Sequence, residues 1–266
     1  MSAGRVAIVT GAARGIGAAT VAVLARQGYS VLCVDVAADD PALGYPLATV
    51  SDLDAVVKIA QESGDGGAEP FMADVRDVDM LAAAAAEAER LWGGVDVAVA
   101  CAGAMGGGAR QWETSLEMER AIIEVNLDGV LNLARVTVPA MMRRSEPRSG
   151  RFIAIASAGA TRGLPMIAAY CAAKAGITGF IRALAVELGD SGITANAVSP
   201  GSTDTAMLAE SARLYDLPAA TEFASQAPQG RLLAPDEVAA VIAFLASRQS
   251  AAMTGAIVPV DAGLGL

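Results

Sequence analysis

The chain predicts the α/β class: a doubly wound parallel sheet of about seven strands covered by helices on both faces, in a single domain over residues 1–266. Three observations carry that expectation. Short apolar runs alternate with longer helical stretches along the whole chain, as buried parallel strands and their crossovers require. A glycine-rich turn, Gly11 to Gly17, stands between the first such run and the first helical stretch. The 266 residues, 54% of them hydrophobic, suffice for one large core, and no linker, low-complexity tract or internal repeat divides them.

In order, the first strand covers residues 6–9 and the first helix 18–27. Between them T-G-A-A-R-G-I-G sets backbone N–H groups and the positive end of a helix where a pyrophosphate can sit. That makes Gly11, Arg14, Gly15, Ile16 and Gly17 candidates for nucleotide contact. The spacing is G-x-x-x-G-x-G, not the common G-x-G-x-x-G, and alone it also reads as a tight turn. The second strand, 30–34, runs into Asp35, whose carboxylate suits ribose hydroxyls and repels a 2′-phosphate. Asp39 and Asp40 add negative charge, and Arg14 is the only nearby cation, so NAD is expected over NADP.

Residues 37–50, A-A-D-D-P-A-L-G-Y-P-L-A-T-V, carry Pro41, Gly44 and Pro46, which discourage helix. This segment reads either as a surface loop or as a flap over the adenosine half of a dinucleotide. As a flap it would use Tyr45 and Leu47 for cover and leave Asp39 and Asp40 at the wet edge. The third strand, 69–73, leads into Asp74 and Val75, and the fourth, 95–100, into Cys101, Ala102 and Gly103. The following helix holds Asn126 between apolar Val125 and Leu127, a costly place for an unpartnered amide. The fifth strand, 150–156, ends at Ser157. The sixth, 194–198, leads into Pro200, Gly201 and Thr203. Residues 202–231 should cover the site as a mobile lobe whose apolar side chains line a pocket or simply pack the lobe. A last strand and an apolar tail end the chain.

Tyr170 and Lys174 follow Ser157 by 13 and 17 residues, in an alanine-rich stretch that reads as a helix. At i and i+4 the phenol and the ammonium share a face. A cation beside a phenol favours the phenolate and moves its pKa toward a working pH. Taken alone, Tyr-x-x-x-Lys also fits a partly buried tyrosine beside a solvated lysine, yet the chain has only two lysines, Lys58 and Lys174. It has no histidine, which excludes Ser-His-Asp hydrolysis and histidine metal sites, and no metal centre is expected. Cys33, Cys101 and Cys171 lack ligand spacing and read as buried small hydrophobes.

T-G-x-x-x-G-I-G, a serine and Tyr-x-x-x-Lys, in that order over essentially the whole chain, resemble the short-chain dehydrogenase/reductase family. The resemblance implies a Rossmann fold, hydride exchange between nicotinamide and an alcohol or ketone carbon, and a catalytic set of Asn126, Ser157, Tyr170 and Lys174. Tyr170 would handle the proton and Ser157 hold the substrate oxygen. Lys174 would lower the tyrosine pKa and bind the nicotinamide ribose, and Asn126 would anchor a water. Asp74, Val75, Ala102, Gly103, Pro200, Gly201 and Thr203 would join the glycine turn and Asp35 at the cofactor. Cys101 departs from the family's usual Asn-Ala-Gly, which removes an amide that helps tie the turn. The 37–50 insertion resembles the mycofactocin-coupled subfamily, which implies a bound NAD reoxidised by mycofactocin.

The alternatives are a freely NAD-exchanging alcohol dehydrogenase or ketoreductase and a non-catalytic NAD-binding sensor. An intact four-residue catalytic set argues against the sensor. The net charge of −10 argues against a nucleic-acid surface. No apolar stretch of about 18 residues runs free of charge or glycine, so no membrane span is expected. Arg5 to Val9 is too short for a signal-peptide core, and a cytoplasmic protein is expected. Its partner should be a small, apolar secondary alcohol or ketone. Family members commonly form tetramers, and the apolar tail would be covered in a homotetramer.

Overall fold

A computed structural model describes residues 4–64 and 66–266, so positions 1–3 and 65 of the expected 1–266 unit lie outside it. The strands are β1 (Val6–Thr10), β2 (Ser30–Asp35), β3 (Ala68–Met72), β4 (Val97–Ala100), β5 (Gly150–Ile155), β6 (Ile193–Pro200) and β7 (Ile257–Val260). All pair in parallel in the order β3-β2-β1-β4-β5-β6-β7, the seven-stranded sheet that the sequence predicts. β1, β4, β5 and β6 are buried at every position. That is why residues 6–9 of β1 and all of β4 read as continuous apolar runs, while β5 and β6 bury the polar Arg151, Thr194, Asn196 and Ser199 as well.

The helices are α1 (Gly15–Arg26), α2 (Val50–Ser63), α3 (Val78–Trp92), α4 (Leu116–Ile123), α5 (Gly129–Met142), α6 (Ala168–Glu187), α7 (Ala206–Leu214) and α8 (Pro235–Ala246). α1, α2 and α8 cover one face, packing Leu24, Leu53 and Ile242 on Val9, Cys33 and Ile153. α3, α5 and α6 cover the other, packing Leu81, Leu133 and Ile181 on Ile8, Leu32 and Phe152. The chain builds β2 and β3 on one side of β1 and then crosses to its other side for β4. The ends of β1 and β4 therefore feed loops that diverge, and a crevice opens between them.

The first helix begins at Gly15, earlier than the expected 18, because the glycine turn itself forms its first turn. The irregular insertion ends at Thr49, not at 50. Thr49 caps α2 by accepting from Asp52 N–H, while Asp52 accepts from Thr49 N–H. α6 has 20 residues and a mean hydropathy of 1.2 in its most apolar window, enough to cross a membrane by length and composition. It carries Lys174 and Arg182, however, and lays Ile177, Ile181 and Leu184 on the sheet. The tail corrects one expectation. Ala262 and Leu264 are buried within the chain, Arg162 donates to the Leu264 carbonyl at 2.9 Å, and Leu266 is the fully exposed residue.

Candidate active site

A single cleft of about 560 Å³ runs along the carboxyl ends of the central strands, and every candidate residue except Asn126 lines it. Its floor is the contact between the two diverging turns. Gly11, at φ +65°, lies so close to the β4 turn that a Cβ would meet the Ala102 backbone at 2.7 Å. At Gly17 a Cβ would stand 1.9 Å from the Gly11 carbonyl oxygen, so the helix can start this close to β1 only with glycine. No side chain caps α1, which leaves the N–H groups of its first turn facing the cleft.

Asp35 is buried and oriented by two backbone donors, Ala13 N–H at 3.0 Å and Ala37 N–H at 3.1 Å. Each carboxylate oxygen keeps lone pairs for a ligand in the cleft. An uncapped helix end, a glycine floor and an oriented carboxylate are a chemical fit for a dinucleotide with a free 2′-hydroxyl. Thr203 is held by its own bond to the Gly201 carbonyl at 3.1 Å.

The far end gathers the expected catalytic set. Ser157 follows β5, and its Oγ accepts from Gly159 N–H at 3.0 Å, which leaves the O–H free to donate. Tyr170 and Lys174 sit one turn apart on α6, the Lys174 Nζ 5.7 Å from the phenol ring centre. Lys174 donates to the Ile155 carbonyl at 2.9 Å. Both side chains are buried. Burial pushes the Tyr170 phenol up to about 12 against the pull of the neighbouring Ser157 hydroxyl, and brings the Lys174 ammonium down to about 8. The sequence argument expected the opposite for Tyr170. In the structure desolvation sets the direction at Tyr170, while the Lys174 ammonium spends one of its protons on the Ile155 carbonyl.

Asn126 lies in a π-helical turn, Glu124–Asp128. Its amide donates to the Ala104 and Ile122 carbonyls, both at 2.9 Å, and accepts from Ala104 N–H at 3.3 Å. Both amide protons are used, so any water the side chain held would have to donate to its oxygen. What it does is fix the chain beyond β4, and a Cβ on Gly103 would come within 3.0 Å of its oxygen and 3.6 Å of Lys174 Nζ. The amide lost at Cys101 is replaced in part by Thr10, whose Oγ1 accepts from Ala102 N–H at 3.3 Å. Cys33 is buried as expected, but Cys101 and Cys171 are only partly so. Burial holds the Cys101 thiol up at about 12, so it is not a thiolate.

The insertion is bonded along its length. Arg14 donates to the Pro46 carbonyl at 2.9 Å and lies over the Tyr45 ring, and the Tyr45 oxygen accepts from Met105 N–H at 3.1 Å. Asp40, expected at the wet edge, instead pairs with Arg76 at 2.7 Å, and Arg76 also holds Asp74. Arg76 is the cation that sequence reading missed. Its only signal was its place two residues after Asp74. Residues 202–231 fold as α7 and a 3-10 stretch, Ala220–Gln226. Of the two alternatives, Met207, Leu208, Leu217 and Phe223 line the cleft, while within the segment Phe223 also packs edge-on against Tyr215 with ring centres 6.1 Å apart. Among the described residues no cluster of His, Cys, Asp or Glu could hold a metal ion.

Residues 11–265 match a family profile described as enoyl-(acyl carrier protein) reductase. The chain is 38% identical to cis-4-hydroxycyclohexanecarboxylate dehydrogenase of Sinomonas cyclohexanicum, over 97% of this chain and 96% of that one. It is 33% identical to (−)-trans-carveol dehydrogenase of Rhodococcus erythropolis, over 99% and 98%. Among solved structures, carveol dehydrogenase from Mycobacterium avium in complex with NAD superposes with a TM-score of 0.92 at 32% identity, covering 99% of this chain and 98% of that chain.

Proposed function

The chain belongs to the short-chain dehydrogenase/reductase family, and from that premise we propose that it is an NAD-dependent oxidoreductase interconverting an apolar secondary alcohol and its ketone. One observation carries the reading. A single cleft has a carboxylate oriented by two backbone donors, Asp35, at one end and Ser157 with the buried Tyr170 and Lys174 at the other. When bound, NAD supplies the hydride acceptor for alcohol oxidation, and its reduced form supplies the donor for the reverse. The protein's own part is orientation and proton management. Ser157 donates to the substrate oxygen with the hydroxyl proton that Gly159 leaves free. Tyr170 removes the alcohol proton or returns it to the ketone oxygen. Lys174 holds positive charge beside the phenol, and Asn126 keeps Gly103 and Ala104 in place beneath it. Met207, Leu208, Leu217 and Phe223 favour an apolar substrate.

The same reading extends to a retained NAD whose electrons leave through a carrier of the mycofactocin kind. The tethers of the insertion at Arg14, Met105 and Arg76 support it. A homotetramer rests on the family resemblance, since Ala262 and Leu264 of the tail are already covered within one chain, and a cytoplasmic location rests on the sequence, which offers no signal-peptide core.

The test is turnover of secondary alcohols and ketones by wild type and Tyr170→Phe. Wild type should oxidise at least one alcohol of the panel, and the variant should lose at least about 100-fold while still binding NAD. A variant that keeps more than about a tenth of the rate would remove Tyr170 from the proton transfer.

A further inference from the structure

The insertion begins beside Asp35 at the ribose end, and its turn at residues 43–46 reaches from Arg14 of the glycine turn, which holds the Pro46 carbonyl, to the chain beyond β4. Tyr45 Oη is held by Met105 N–H at 3.1 Å. Leu43 is buried in a cluster with Ala104, Met105, Ile122, Ile167 and Tyr170, distinct from the two clusters that pack the sheet faces. Gly44 lies against α7, where a Cβ would stand 3.3 Å from the Arg213 guanidinium. The span is feasible: the eight residue steps from Ala37 to Tyr45 reach roughly 26 Å when extended. Leu43 itself faces the cleft, as do Tyr170 and Met207.

We propose that Leu43, held in place by the Tyr45 to Met105 bond, is a wall of the substrate end of the cleft and determines how bulky an alcohol can approach Tyr170. This rests on the proposed oxidoreductase function and assigns the insertion a second task besides covering the cofactor. The apolar cluster around Leu43 includes Leu164, Met207 and Leu214 at its partly buried margin, so the wall is continuous with the lobe residues that line the cleft. A charge on Tyr45 would raise the pKa of Tyr170, which places the two phenols in one electrostatic neighbourhood. Shortening the Leu43 side chain removes three carbons from a packed wall, and differences of one methylene already change discrimination by about 10-fold or more.

The test uses the purified full-length protein with its NAD, and propan-2-ol, cyclohexanol and 4-tert-butylcyclohexanol as probes. Leu43→Ala should raise kcat/KM for 4-tert-butylcyclohexanol relative to propan-2-ol by at least about 10-fold, and Leu43→Phe should shift the ratio the other way. Tyr45→Phe, which keeps the ring and loses the acceptor, should weaken the size preference of the wild type. Calorimetric binding of the matching ketones to the NAD-bound protein should follow the same order. An unchanged order in both Leu43 variants, with only NAD release altered, would overturn the proposal and leave the insertion a cofactor cover. Should Leu43→Ala fail to fold, Leu43→Phe and Leu43→Val still read the order. Should wild type oxidise no alcohol, the proposed function fails, while the ketone-binding order continues to decide the role of Leu43.

Discussion

At the scale of single residues, the site holds a tension between stability and chemistry. Lys174 is a buried ammonium whose pKa falls from 10.5 to about 8, which corresponds to about 3 kcal/mol of destabilisation of the charged form. Below about pH 8 folded and unfolded chains both carry the proton, so the full cost of burial applies. Between about 8 and 10.5 the unfolded chain holds a proton that the folded chain has released, and stability rises with pH. Lys174→Met should therefore melt higher than wild type at pH 7 in protein stripped of NAD, with the gap narrowing toward pH 10. Equal melting temperatures throughout would mean that the bond to the Ile155 carbonyl already compensates the charge. Asp35→Ala removes ribose acceptors together with repulsion of a 2′-phosphate, so it should weaken NAD far more than NADP. Equal losses in titrations of stripped protein would take Asp35 out of the ribose site.

At the scale of elements, the first strand was legible because residues 6–9 form an unbroken apolar run, as a strand buried on both faces allows. Tyr170 and Lys174 were legible because helical spacing alone puts them on one face. What escaped the sequence was set by distant pairing. Arg76 meets Asp40 across 36 positions, and Tyr45 meets Met105 across 60. Burial of Tyr170 depends on Met105, Ile122 and Ile167, which no local pattern brings together. The insertion can now be tested with its caps respected. Thr49 caps α2 and Ala48 is buried, so the excision should cover residues 39–47 and be bridged by glycine and serine. Such a protein should exchange NAD faster, as lids set release rates, and still oxidise alcohol through Tyr170. Unchanged exchange would reduce the segment to a surface loop with respect to the cofactor.

At the scale of the whole molecule, one topological fact organises everything else. The strand order reverses between β1 and β4, and the crevice there receives the glycine turn, Asp35 and the loop before α4. The lobe and the insertion then close over that crevice from elements far apart in sequence, and it is this closure that should retain NAD. Absorbance of reduced nicotinamide in the purified protein, recorded as a secondary alcohol is added without external NAD, tests this directly. The account predicts that absorbance appears in wild type in proportion to enzyme, is bleached by an artificial electron acceptor, and is absent in Tyr170→Phe. A wild-type protein that purifies empty and forms reduced nicotinamide only once external NAD is added would contradict it.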